Sequence, residues 1–350
     1  MKKEQPILSI CIPTYNRGEL LVYTLTLFKE QILRNQGKVE LVVCDNASTD
    51  NTYALISEYQ KKESFFDYIR YEEHLEFGGD SIIRSTERAN GTFMLIYGDD
   101  DIPMPQMVDE LLKIIQDNPE CGYICFNRLR GNSCREGFGI ENVHVAGDNT
   151  IKSEPTRYDD IRDFAEVHQN EVGFISVNMV KTELWRKRYK DVYPNNHRGY
   201  EFILPYLYSA KGYPCLYIHY PLCVQRLPKG DSGTGAQTWA DKRLLYFYLG
   251  RPRAIFAQEK YGIVRNAKEL FKNYESQFGD SFLYSSLMHI TEVSAEVIEC
   301  AEEVASYLSS EDRQLMVKRL LQSKGFKKKY YKVFYKIRRR LMRYRAKYIK

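Results

Sequence analysis

From residue 7 to about residue 126, short apolar runs alternate with stretches whose apolar residues recur at steps of three and four. Ile7 to Ile12 is the first run and stops at Pro13; Leu21, Leu25, Phe28 and Ile32 then mark one face of a helix. Val39 to Cys44 predicts a second strand, and Ser48 or Asp50 caps a helix that runs to about Lys62. Tyr68 to Tyr71 predicts a third strand, and Gly78-Gly79-Asp80 opens a helix reaching Ala89. Asn90-Gly91 turns the chain into Thr92 to Tyr97, a nearly unbroken apolar run that predicts a strand buried on both faces. A helix from about Pro105 to Gln116, with Met107, Leu111 and Ile114 on one face, leads to a fifth strand at Gly122 to Phe126.

This alternation predicts an α/β fold: a mostly parallel sheet flanked by helices, with ligands beyond the carboxyl ends of its strands. Polar clusters stand at those ends: Thr14 to Arg17 after the first strand, Asp45 after the second, and Asp99-Asp100-Asp101 after the fourth. Residues 127–160 are poor in apolar positions and predict an irregular insertion. Further on, the pattern predicts a strand at Gly173 to Val180, a short helix at Glu201 to Ala210 and a strand at Cys215 to His219. Lys229 to Gly235 is a Gly-rich loop able to act as a lid, and from about Thr238 to Ser323 the pattern is helical. The expected divisions are therefore 1–126, 127–237, 238–323 and 324–350.

Charge changes the picture at the end of the chain. The net charge of +5 conceals 13 Lys and Arg with no acid from Lys324 to Lys350, leaving 38 basic against 46 acidic residues elsewhere. In that tail Tyr330, Phe334, Ile337, Leu341, Tyr344 and Tyr348 recur at helical steps among Lys and Arg. A cationic amphipathic helix of this kind suits an anionic membrane surface; its heptad-like stripe also suits a homo-oligomer seam, and a nucleic-acid role has the least support. The eight Cys form no CxxC pair, no secretory apolar region opens the chain, and no window of 18 apolar residues occurs. Reduced thiols and a cytoplasmic location, peripheral at the inner face of the cell membrane, are the expectation.

Three consecutive carboxylates beside a buried strand are costly unless a cation neutralises them. A hard divalent ion, Mn²⁺ or Mg²⁺, answers that cost, and so does a solvated turn before the following helix. No G-x-G-x-x-G and no G-x-x-x-x-G-K motif is present.

Ile10-Cys-Ile-Pro-Thr-Tyr-Asn-Arg17, Val42-Val-Cys-Asp-Asn-Ala-Ser-Thr-Asp50, Ala89-Asn-Gly91 and Gly98-Asp-Asp-Asp101 together resemble family 2 glycosyltransferases of the GT-A (Rossmann-like) fold. Over its whole length the chain is similar to bacterial surface-polysaccharide transferases of the abequosyltransferase type. The resemblance implies a nucleotide-diphosphate sugar donor, most readily a UDP-sugar, and a glycan or polyprenyl-linked acceptor. Residues 1–126 would then be the nucleotide-sugar-binding half and 127–237 the acceptor side. Asp45 would contact the base; Pro13, Thr14, Asn16 and Arg17 would line the donor pocket, with Asp80, Asp99 and Asp100 as further donor contacts. Asp99 and Asp101 match the D-x-D that holds the metal.

The family inverts the anomeric centre with one general base. Counting back from Gly212-Tyr213, its Glu-Asp pair falls on Tyr200-Glu201, a departure in both residues that leaves Glu201 as the base and His197 as runner-up. Arg226 could face the diphosphate, but the sequence favours a surface position. Two other classes remain. A metal-dependent phosphatase or nucleotidyltransferase would use the acids; a phosphatase would want an aspartyl nucleophile where Pro13-Thr14 stands. The other is a non-catalytic glycan- or membrane-binding protein with a degenerate site.

Overall fold

The computed structural model describes residues 5–76, 78–134, 136–146, 152–195, 197, 199–227, 250–274, 302–303, 305–308, 311 and 314. They belong to two compact units. The first comprises Met1–Asn195, Tyr200–Thr234 and Ala257–Arg265; the second comprises Asn196–Gly199, Gly235–Phe256 and Asn266–Lys350. The lid-like loop at 229–235 and the basic tail lie outside the described residues, as does most of the helical stretch after 238.

The first unit is built on one sheet. Strands β1 (Leu8–Thr14), β2 (Val39–Asp45), β3 (Asp67–Arg70) and β4 (Phe93–Ile96) run parallel in the order β3-β2-β1-β4. The fully buried β4 and β1, buried except at Pro13, carry the continuous apolar runs, as strands covered on both faces must. Helix α1 (Gly18–Arg34) buries Leu21, Leu25, Phe28 and Ile32, the stripe read from the sequence. It lies close to α2 (Thr52–Lys62) because Gly18 has no side chain; a Cβ there would sit 2.8 Å from the Thr52 Cα. The strand ends are level: Thr14 faces Asp45 in register, and Asn46 N donates to Thr14 O at 2.9 Å. The polar clusters therefore share one rim. Helix α3 (Gly78–Ser85) precedes β4.

Beyond β4 the sheet is mixed. After the acid turn come β5 (Ile102–Pro103), α4 (Met107–Asp117) and β6 (Tyr123–Ser133), then β7 (Ile140–Ala146) and β8 (Thr156–Tyr158). Two short helices, α5 (Ile161–Val167) and α6 (Gln169–Val172), lead to β9 (Asn178–Lys181). Helices α7 (Thr182–Arg188) and α8 (Ile203–Ser209) precede β10 (Cys215–Leu227) along the chain, and α9 (Arg251–Lys260) follows. The path continues β4-β9-β6-β10-β5, with β9 antiparallel to both neighbours and β5 antiparallel to β10. Because β5 follows β4 across the acid turn yet pairs with β10, the sheet curls, and the end of β10 comes to the acids.

Three expectations are corrected. Among the described residues the stretch 127–160 is not irregular throughout: β6 runs on to Ser133 and β7 folds back on it, with Gly131 giving room for Ile140, whose Cγ2 would lie 2.0 Å from a Cβ. The strand expected at Gly173 to Val180 is shorter; a 3-10 turn at Ile175–Val177 precedes β9. The strand expected to stop at His219 continues to Leu227, because Pro221 sits in a register irregularity where its missing N–H costs no ladder bond. Among the described residues no helix is long and apolar enough to cross a membrane.

In the second unit Phe256 lies 6.3 Å from Phe271 and 5.1 Å from Tyr307, ring centre to ring centre, and Arg253 pairs with Glu303.

Candidate active site

The turn after β4 puts three carboxylates at the rim, and each is held differently. Asp99 is buried; Thr14 Oγ1 donates to its Oδ2 at 2.7 Å and Arg17 Nη1 to its Oδ1 at 2.8 Å. The same Nη1 reaches Asp100 Oδ2 at 3.1 Å. Asp99 first, with Asp100 after it, holds the Arg17 guanidinium well above its ordinary range. Loss of solvent raises the Asp100 carboxyl, and Arg17 opposes that rise.

Asp101 faces inward. Ser176 Oγ donates to its Oδ2, Arg226 N donates to its Oδ1 at 3.2 Å, and Gly98 N donates back to Ser176 Oγ at 2.8 Å. Burial, then the neighbouring Asp100 charge, pushes the Asp101 carboxyl up to about 8. Among the described residues no ion pair engages Asp101. Arg226 is not at the surface, as the sequence suggested: it is 6% exposed, and its guanidinium donates to the carbonyls of Asp100 at 2.8 Å and Phe138 at 2.9 Å. Ser176 carries no sequence signal and Arg226 only a weak one, because only the turn before β9 and the pairing of β5 with β10 bring them to the acids.

The β2 rim is knitted to the β1 rim. Asp45, fully buried, accepts from Ser48 N at 2.8 Å and Ser48 Oγ at 2.6 Å on one oxygen, and from Tyr68 Oη at 2.6 Å on the other. Asn16, with φ of 55°, accepts from Thr49 N at 2.8 Å, and its own N–H donates to Ser48 Oγ at 2.9 Å. Pro13 pairs in register with Cys44, one step before Thr14. The structure thus joins Thr14, Arg17, Asp99 and Asp100 directly and brings Asn16 and Asp45 together through Ser48.

Asp80 and Glu201 form a second group. Asp80, in the first turn of α3, accepts from Tyr193 Oη at 2.6 Å. Glu201 is 3% exposed and lies just before α8, packed on Gly79: a Cβ at Gly79 would meet Glu201 Oε2 at 2.0 Å. A carboxylate against the start of a helix is favoured by the helix dipole. Asn195 Nδ2 fixes the local turn by donating to Glu201 O at 3.0 Å and Val192 O at 3.2 Å. His197 belongs to the second unit; burial first, then Arg253, pushes its imidazole down to about 4, so it is neutral at pH 7.

A divalent ion fits the acid turn on its chemistry. The donors are hard oxygens, and Asp101 is a buried carboxylate that no ion pair engages among the described residues, the Arg128 charge offsetting only part of the rise of its carboxyl. Among those residues no three His, Cys, Asp or Glu side chains converge as a complete ligand set. Mg²⁺-type sites that complete their shell with water and substrate phosphate need only one or two carboxylates.

Comparison with known proteins gives this geometry a family. The chain is 26% identical over 279 residues to an abequosyltransferase, RfbV, of Salmonella typhimurium, with 76% of this chain and 79% of that protein covered. It is 25% identical over 252 residues to a GalNAc(5)-diNAcBac-PP-undecaprenol beta-1,3-glucosyltransferase of Campylobacter jejuni, covering 70% of this chain and 72% of that one. Among solved structures, S. aureus TarS 1-349 in complex with UDP-GlcNAc shares the fold, with a TM-score of 0.55 at 13% identity over 89% of this chain and 87% of that one. The profile of Glycosyl transferase family 2 matches residues 9–179, the span from β1 to β9 that carries the rim. Residues 9–179 of this chain are thus a family 2 glycosyltransferase domain on a GT-A-type mixed α/β fold.

Proposed function

We propose that this chain transfers one sugar, with inversion, from a nucleoside-diphosphate sugar to a lipid-linked or cell-surface glycan. One observation carries the reading: Thr14 and Arg17 at the end of β1 bond directly to Asp99 at the end of β4. A glycosyltransferase domain needs a diphosphate site at that rim, and here an acid turn able to take a cation and the Arg17 guanidinium meet there. The first half, 1–126, would serve the donor and 127–237 the acceptor.

Asp99 and Asp101 would hold Mn²⁺ or Mg²⁺, which when bound neutralises charge on the departing diphosphate. Arg17 offers a second positive group to the same oxygens and keeps Asp99 and Asp100 in place. Pro13, Thr14, Asn16 and Asp45 would line the nucleoside side, with a uracil base favoured by the UDP-sugar held by the TarS neighbour. Glu201 would take the proton from the attacking acceptor hydroxyl as the C–O bond to the anomeric carbon forms and the diphosphate leaves. Asp80 would orient the group around Glu201 through Tyr193 rather than touch the donor.

One relative is named for an undecaprenol-linked glycan substrate. A basic amphipathic tail at the inner membrane face suits such an acceptor. The test is a thermal-shift and calorimetric screen of UDP-, GDP- and CDP-sugars with Mn²⁺. At least one sugar nucleotide should bind in a metal-dependent way, and Asp101→Ala should lose that binding and all transfer while remaining folded. Unchanged turnover in Asp101→Ala would sink the assignment.

A further inference from the structure

We propose that Tyr189 and Tyr193 form a stacking platform for a pyranose ring of the acceptor, beside Glu201. The proposal rests on the reading of Glu201 as the base. The two rings stand 6.3 Å apart at 36°, and both residues are half-buried, so neither is enclosed in the core. Behind them Trp185, 1% exposed, stacks on Tyr189 at 5.2 Å with the planes 8° apart. Trp185 is itself tied down by its Nε1, which donates to Thr86 Oγ1 at 3.0 Å. The outermost rings of this stair are therefore fixed from below.

Its position relative to the base is fixed as well. Tyr193 Oη donates to Asp80, one residue after the Gly79 on which Glu201 packs. Asn195 ties the same turn to the Glu201 carbonyl at 3.0 Å. The Glu201 charge also reaches the Tyr193 phenol, which it helps raise after burial and Asp80. A ring held against Tyr193 lies next to the group that would deprotonate it.

The chemistry selects a carbohydrate. A pyranose presents one face of C–H groups, which packs on the negative face of an aromatic ring, and a rim of hydroxyls that wants carboxylates and ammonium groups. Exposed Lys190 and Asp191 lie between the two tyrosines in the chain; the Lys190 ammonium stands 5.8 Å from the centre of the Tyr189 ring, and on its flexible stem it swings aside to the hydroxyl rim as a sugar docks. Tyr193 spends its hydroxyl on Asp80, so what remains to offer a ligand is its face. A tyrosine is rigid, which keeps the entropic cost of capture low.

Saturation-transfer difference NMR on the full chain tests this, with methyl β-D-glucopyranoside, methyl β-D-galactopyranoside and methyl N-acetyl-β-D-glucosaminide as probes. At least one should take up saturation, strongest on its ring C–H protons. Tyr189→Ala and Tyr193→Ala should weaken that signal by about fivefold, the scale of one lost aromatic face. Tyr193→Phe keeps the face and should keep the signal. Tyr189→Leu and Tyr193→Leu hold the apolar volume without a flat ring, and they should lose the signal even where an alanine variant fails to fold. No saturation in the wild type, a full signal in the leucine variants, or loss in Tyr193→Phe each overturns the platform. Titration of the wild type with UDP and Mn²⁺ separates the readings. Failure of UDP to bind removes the donor assignment and leaves the platform; saturation independent of the tyrosines removes the platform and leaves the donor assignment.

Discussion

At the residue scale, the chemistry turns on two carboxylates treated in opposite ways. Asp99 meets Arg17 and Thr14, whereas Asp101 meets only neutral donors, Ser176 and the Arg226 backbone, among the described residues. Glu201 and His197 compete for the role of base, and kinetics separates them. Glu201→Gln is expected to leave donor binding intact and to lower kcat by about 10²-fold or more, the weight of a general base. If His197→Ala gives that pattern and Glu201→Gln does not, the assignment moves to the histidine. His197 also makes a prediction about pH. Its folded value of about 4 lies below the ordinary 6.5, so the unfolded chain binds more protons between those limits. Stability is whole above about pH 6.5 and falls as the pH drops towards 4, by about 2–3 kcal/mol from this residue alone. Denaturant unfolding at pH 7 and pH 4.5 should show a smaller loss in His197→Gln; equal losses would refute it.

At the scale of elements, glycines decide what can approach what. Gly79 gives the Glu201 carboxylate its seat, since a Cβ would stand 2.4 Å from the Glu201 Cδ. Gly79→Ala should cost about 1–3 kcal/mol in stability, because the flexible side chain can move aside. Transfer should suffer more, about 10²-fold in kcat, because the base leaves its place. Chemical denaturation together with turnover checks the pair; a stable variant with wild-type turnover would show that Glu201 needs no such seat. Elements also set what the sequence could disclose. The parallel strands β1, β2 and β4 were legible, because strands buried on both faces are continuous apolar runs. Hairpin β6–β7 was not, because β7 is largely exposed and its residues lack the alternation that marks a half-buried strand. The extension of β10 was hidden by Pro221, which reads as a strand end although the ladder continues past it.

At the scale of the whole molecule, charge separates the chain into an acidic body and a basic end. Removing residues 327–350 should reduce co-sedimentation with anionic liposomes severalfold at low salt, since each Lys or Arg near such a surface contributes about 1 kcal/mol. The effect should fade at high ionic strength. Unchanged sedimentation, with a shift from dimer to monomer by light scattering, would favour the oligomer seam.

By itself, the sequence determined the alternating strands and helices, the rim where their polar ends gather, and the family those motifs belong to. Local periodicity and short motifs encode these, and neither depends on distant contacts. Tertiary structure decided that Ser176 and Arg226 hold Asp101, that Tyr193 takes up Asp80, and that Gly79 seats Glu201. Each of these joins residues 75 to 125 positions apart or, for Gly79 and Glu201, elements far apart in the chain. Such pairs arise from strand order and sheet curvature, which leave no periodic trace along the chain.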